Sequence, residues 1–113
     1  MVNFNRSLKF TKTNISNIPT NKAIVYKIKN AAGTNLYTGI AGRGRGQDRL
    51  MEHKELKHEI VPGGTRFQIA QVKTKVRATK IEEQIIRREQ PKFNEKGKLK
   101  EVKYNGMEIN ERL

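Results

Sequence analysis

Three stretches of the chain carry hydrophobic and polar residues in the patterns expected of β-strands. Residues 23–28 are β-branched and aromatic, residues 36–40 follow a turn at 31–35, and residues 66–72 alternate between apolar and polar. The first two stretches are close enough in sequence to pair as a hairpin. The pattern therefore predicts a small antiparallel sheet of three strands.

Two other stretches repeat their apolar residues at helical spacing. The first helix is predicted from about Asp48, directly after a glycine-rich loop. The second covers roughly residues 76–89 and ends before Pro91, because the residue that precedes a proline resists the helical region. Both helices carry one apolar face, so we expect them to flank the sheet.

The order of these elements predicts one α+β domain over residues 23–113. Asn105-Gly106 joins two short apolar stretches, which predicts a β-hairpin at the C-terminus. Residues 1–22 are polar and predict an irregular N-terminal arm that leads into the domain.

Charge is the strongest global signal. The formal net charge is +13, and no acidic residue occurs before Asp48. Residues 73–80 form a second basic stretch without an acid. Such an excess of positive charge favours a polyanionic partner, most simply nucleic acid, although solubility alone is a second explanation.

Composition also excludes several classes of protein. No apolar stretch approaches the roughly 20 residues that span a membrane, so we expect no membrane partner. The chain has no cysteine, which excludes disulfides, cysteine-bound metals and a thiol nucleophile, and which fits a cytoplasmic protein.

The loop from Gly42 to Gly46 holds three glycines and two arginines between a predicted strand and a predicted helix. This composition suggests a cradle for phosphate. The loop lacks the Gly-Lys-Ser/Thr ending of a P-loop, and the hairpin before it argues against a parallel dinucleotide-binding unit.

Taken singly, the residues that could carry chemistry have ordinary structural explanations. Tyr26 and Tyr37 lie on predicted strands, where tyrosines usually pack. Arg49 and His53 are four residues apart on one face of the first helix, a spacing typical of a solvated surface. Glu82 lies within the second helix, where exposed glutamates are common.

Together, these residues resemble the motifs of the GIY-YIG nucleases. Ile24-Val25-Tyr26 and Tyr37-Thr38-Gly39 are similar to the two motifs that name the family. The helical stretch 48–53 resembles the family's arginine and histidine element, and residues 81–94 resemble its glutamate helix with the proline and asparagine that follow. Two departures stand out, since Ile24 replaces the usual glycine and the loop after Gly39 is slightly longer than in many relatives.

The resemblance implies roles for five catalytic residues. Glu82 would hold one divalent ion, Mg²⁺ or Mn²⁺, and Arg49 would clamp the scissile phosphate. Tyr26 or Tyr37 would orient or deprotonate the attacking water, provided that nearby cations lower the pKa of the phenol. His53 would support the tyrosines or the phosphate.

Further residues are implied around this centre. Asn94 would tie the chain after the second helix to the site, and the residues expected to contact the substrate are Gly39, Arg43, Arg45, Lys73 and Lys75. The expected function is hydrolysis of phosphodiester bonds in nucleic acid, most simply DNA, with a partner protein or a fused domain possible for targeting. Two alternatives stay open: a basic nucleic-acid-binding module of the same fold without catalysis, and a structural protein such as a ribosome-associated one.

Overall fold

The computed structural model describes residues 3–56 and 59–94 of the chain. Within these residues the chain forms four strands and three helices, in the order β1 (Leu8–Lys9), α1 (Lys12–Ser16), β2 (Ala23–Lys29), β3 (Asn35–Ala41), α2 (Gly46–Glu55), β4 (Arg66–Val72) and α3 (Lys75–Glu89). The predicted C-terminal hairpin around Asn105-Gly106 lies outside the described residues.

The strands form one antiparallel sheet in the order β1-β4-β2-β3. The α+β class is confirmed, but the predicted number of three strands is wrong. The additional strand, β1, pairs Leu8 with Phe67 and Lys9 with Arg66 at the edge of β4. Two residues are too few to show an alternating pattern, which is why the sequence did not reveal this strand.

The N-terminal segment is part of the folded unit rather than an irregular arm. The backbone of Asn5 donates to the carbonyl of Ile69, and the Asn5 side chain accepts from the Ile69 backbone nitrogen (2.9 and 3.0 Å). Phe10, Ile15 and Ile18 are buried in the main core. The segment therefore covers the outer edge of β4, which would otherwise expose unpaired backbone groups.

Helices α1 and α2 cover one face of the sheet. Thr11 caps α1 by accepting from the backbone nitrogen of Asn14. The core on this side includes Ile24, Tyr26, Phe67 and Leu50, all buried. Full burial of an aliphatic or aromatic side chain of this size contributes about 1.5–3 kcal/mol.

Helix α2 begins at Gly46 rather than Asp48, and its first residue lies against β2. A Cβ atom at Gly46 would come within 2.7 Å of the Cδ1 atom of Ile24. The glycine thus allows the start of α2 to approach a bulky side chain at position 24. Ile24 is thus buried against the first residue of α2.

Helix α3 covers the other face of the sheet. The side chain of Thr74 accepts from the backbone nitrogen of Arg77 and caps its first turn, and Gln90 in a left-handed conformation ends it, one residue before Pro91. A second core cluster on this face joins Val25 and Val72 to Ala78 and Ile85. No helix among the described residues is long and apolar enough to cross a membrane.

Candidate active site

The ring of Tyr26 lies across β3 directly above Gly39, its register partner in the sheet. A Cβ atom at position 39 would lie 2.5 Å from the Tyr26 hydroxyl and 2.6 Å from its Cζ atom. Only glycine leaves room for this ring. Gly39 was expected to admit substrate, whereas the group that occupies the space above it is Tyr26.

The Tyr26 hydroxyl meets a buried histidine. Its oxygen lies 2.8 Å from Nε2 of His53 on α2, and both side chains are almost fully buried. The Nδ1 atom of His53 lies 2.9 Å from the backbone carbonyl of Glu59. Because a carbonyl only accepts, Nδ1 carries the proton and donates to it.

Burial lowers the pKa of His53, and the nearby charge of Arg49 acts in the same direction. His53 is therefore neutral at pH 7, and its Nε2 atom accepts from the Tyr26 hydroxyl. The two hydrogen bonds of the ring fix both its tautomer and its orientation.

The electrostatics of Tyr26 differ from the expectation for a catalytic base. Burial raises the pKa of Tyr26 above its ordinary value, and the charge of Tyr37 adds to this effect, although Arg49 opposes it. At Tyr26 the effect of burial therefore outweighs the lowering by Arg49, so the condition stated for a catalytic base is not met there. As a protonated phenol with no exposed surface, Tyr26 serves as a hydrogen-bond donor to His53.

Tyr37 lies on the same face of the sheet and is only half-buried. Its ring centroid is 4.7 Å from that of His53 and 6.3 Å from that of Tyr26. The three rings thus form one cluster, in which Tyr37 is the tyrosine that faces solvent.

Arg49 lies one helical turn before His53 and is also half-buried. Its positive charge interacts with both phenols, Tyr26 and Tyr37. The guanidinium also forms ion pairs with Glu52, one turn along α2, and with Glu59, at 4.0 Å. These two carboxylates were not predicted as part of the site, and Glu59 could not be placed from sequence because it follows the end of the helix.

Glu82 reaches the same centre from α3. Its side chain is buried while that of Glu83 is exposed, and the charge of Glu82 contributes to the raised pKa of Tyr26. Among the described residues, no group of three or more histidine, aspartate or glutamate side chains could surround a metal ion. A single carboxylate suits Mg²⁺ when water and substrate phosphate supply the other oxygen ligands, so the residues present fit one weakly held divalent ion.

Asn94 connects the chain after α3 to the outer edge of β3. Its side-chain oxygen accepts from the Thr38 backbone nitrogen at 2.8 Å, and its side-chain nitrogen donates to the Thr38 carbonyl at 2.9 Å. The neighbouring Phe93 backbone nitrogen donates to the carbonyl of Leu36. These bonds hold the strand that carries Tyr37 and Gly39.

The basic residues expected to contact substrate lie on two adjacent loops at one end of the sheet. A Cβ atom at Gly42 would lie 3.9 Å from the Lys75 side chain, which places the loop after β3 beside the start of α3. The four side chains are exposed, namely Arg43, Arg45, Lys73 and Lys75. Only one of them has an ion pair within the described part of the chain, from Arg45 to Asp48 at 3.8 Å.

Comparisons with protein-family models, with curated proteins and with solved structures find no match for this chain.

Proposed function

We propose that this protein is a metal-dependent endonuclease of the GIY-YIG type that hydrolyses phosphodiester bonds in DNA. One observation carries the proposal: Tyr26, Tyr37 and Arg49, from β2, β3 and α2, lie around His53, and the charge of Glu82 acts on Tyr26 from α3. The fold thus brings together residues that lie as far as 56 positions apart, from Tyr26 to Glu82.

The cluster combines the groups that hydrolysis of a phosphodiester requires. A positive, planar guanidinium at Arg49 suits bidentate contact with the scissile phosphate. This guanidinium pairs with Glu52 and Glu59, so a phosphate would compete with these carboxylates for it. A basic surface around the site would draw the polyanion toward it.

The two tyrosines take different roles in this proposal. Tyr37 faces solvent and contacts the attacking water, whereas Tyr26 is buried and holds His53 in place. The positive charge of Arg49 interacts with the Tyr37 oxygen. In the proposed step the Tyr37 phenolate takes one proton from the water as the water oxygen bonds to phosphorus. The bond from phosphorus to the leaving oxygen breaks, and that oxygen takes a proton from solvent.

Glu82 is the residue that would hold the divalent ion. A bound Mg²⁺ would neutralise charge that develops on the phosphoryl oxygens and lower the pKa of a coordinated water. The burial of Glu82 and the effect of its charge on Tyr26 support this assignment over Glu83, whose side chain is exposed.

The experiment that tests the proposal is cleavage of plasmid DNA and labelled oligonucleotides with Mg²⁺, Mn²⁺ or EDTA. We expect cutting that requires metal, that Tyr37→Phe abolishes and that increases toward alkaline pH. Binding without cutting of any DNA or RNA would instead favour a non-catalytic nucleic-acid-binding module.

A further inference from the structure

A second basic surface lies on the flank of α3 that faces the N-terminal segment. It surrounds a cavity of about 350 Å³ whose lining includes Phe4, Lys27, Arg77, Lys80, Ile81 and Arg88. We call this feature the Phe4 cleft.

The Phe4 cleft is separate from the candidate active site. Its α3 residues Arg77, Ile81, Gln84 and Arg88 recur every three or four positions and so share one flank of the helix. Glu82 follows Arg77 by five residues. On an α-helix this spacing places its side chain roughly 140° around the helix axis from that of Arg77. The helix thus presents the cleft on one flank and the proposed metal ligand on another.

The cleft carries more positive than negative charge. Lys27 and Arg88 both contact Glu89, at 3.2 and 3.4 Å, so these two cations are partly compensated. Arg77 and Lys80 are exposed, and neither forms an ion pair with any residue in the described part of the chain. Two cations are therefore available to an anionic ligand at this position.

The lining of the same cleft also includes aromatic and aliphatic side chains. The Phe4 ring lies over the Lys27 ammonium, whose nitrogen is 4.7 Å from the ring centroid. Phe4 and Ile81 pack at the margin of the core cluster on this face and remain partly exposed. An apolar, partly aromatic surface beside two free cations matches a nucleotide, which has a flat base and a charged phosphate.

We propose that the Phe4 cleft binds a single-stranded segment of nucleic acid, with one base against Phe4 and the flanking phosphates on Arg77 and Lys80. A base within a duplex is covered by its stacked neighbours, so only an unpaired base presents its face to the ring. Binding here does not depend on catalysis at Glu82, and the cleft would hold a strand even if the protein did not cut it.

The test is fluorescence anisotropy of a labelled oligothymidylate with the full chain in EDTA, as a function of salt. Arg77→Gln with Lys80→Gln removes two phosphate contacts, so the slope of log K against log salt becomes shallower by about 1.4 on a single strand. Phe4→Leu keeps an apolar side chain but removes the ring. We expect it to weaken single-strand binding roughly fivefold or more and to leave binding of a blunt duplex unchanged.

The matched control is Lys9→Gln with Lys22→Gln, which removes the same charge from exposed positions outside the cleft. Thermal melts of each variant show whether it is folded. The proposal is overturned if the Arg77→Gln/Lys80→Gln variant loses no more affinity and no more of the salt slope than the control variant does. A folded Phe4→Leu protein that binds the oligothymidylate as well as the unaltered chain also overturns it. Because EDTA removes metal-dependent cutting, either result is independent of whether the protein is a nuclease.

Discussion

The hydroxyl of Tyr26 donates to Nε2 of His53 over 2.8 Å, and both side chains are shielded from solvent. The other ring nitrogen of His53 donates to the carbonyl of Glu59. This chain of hydrogen bonds joins the central strand β2 to the segment after α2. It makes His53 a fixed, neutral support beside Tyr37 and Arg49.

Replacement of Tyr26 by phenylalanine tests this support. We expect Tyr26→Phe to lower the free energy of unfolding by about 1–3 kcal/mol, because the buried Nε2 atom of His53 loses its partner. Urea unfolding of Tyr26→Phe, His53→Gln and the double variant measures the coupling between the two residues. A coupling energy below about 0.3 kcal/mol would show that the bond does not contribute.

The lowered pKa of His53 makes stability depend on pH. The unfolded chain binds a proton near the ordinary histidine pKa of about 6.5, whereas the folded chain resists it. The contribution of neutral His53 is therefore complete above about pH 6.5 and declines as the pH falls below that value. The stability of His53→Gln should depend less on pH between about 6.5 and 5 than that of the unaltered chain, and an equal dependence would contradict the account.

Gly39 and Gly42 offer a matched pair of glycines for testing the packing of the site. A Cβ atom at Gly39 would overlap the ring of Tyr26, whereas one at Gly42 would meet only the Lys75 side chain at an ordinary 3.9 Å. We expect Gly39→Ala to cost about 1–3 kcal/mol of stability and to impair cleavage, and Gly42→Ala to affect both much less. Thermal melts and cleavage assays compare the two variants. Similar losses of stability and cleavage in both would contradict the packing of Tyr26 against Gly39.

Glu52 forms an ion pair with Arg49, the residue proposed to bind the scissile phosphate. Glu52→Gln removes both the ion pair and a negative charge near the phosphate position, so we expect tighter binding of oligonucleotides, by a few-fold. Glu55→Gln is the control, since it makes the same change in charge on the same helix but contacts Lys12 instead. Anisotropy titrations should separate the two variants; equal effects would reflect net charge alone.

Much of the fold could be predicted because its longer elements carry clear patterns. Strand β4 has the predicted bounds, β2 and α3 are each one residue longer at one end, and β3 is one residue longer at both ends. Strand β1 was missed because two residues show no periodicity. The buried Phe10 and Ile15 lie among threonine, lysine and asparagine, so nothing in the local pattern distinguishes them from a polar arm.

The candidate site was predictable only in part. The order of the motifs placed the tyrosines, Arg49, His53 and Glu82 on the right elements, and the structure brings these elements together. Burial and the charge of Arg49 shift the pKa of Tyr26 in opposite directions. Which effect is larger depends on the packing in three dimensions, and this cannot be deduced from the spacing of residues in the sequence. The same holds for the contacts of Glu59, which reaches Arg49 and His53 from beyond the end of α2.

The most direct test of the nuclease proposal compares Glu82→Gln with Glu83→Gln in a cleavage assay with Mg²⁺ and an EDTA control. Both changes remove one charge from neighbouring positions of α3, but only Glu82 is buried and only its charge acts on Tyr26. A metal ion that stabilises charge in the transition state contributes several kcal/mol, so Glu82→Gln should lose about a hundredfold or more of the cutting rate, with oligonucleotide binding retained. Glu83→Gln should cut as the unaltered chain does. Undiminished cutting by Glu82→Gln, or a loss confined to Glu83→Gln, would contradict the proposed site.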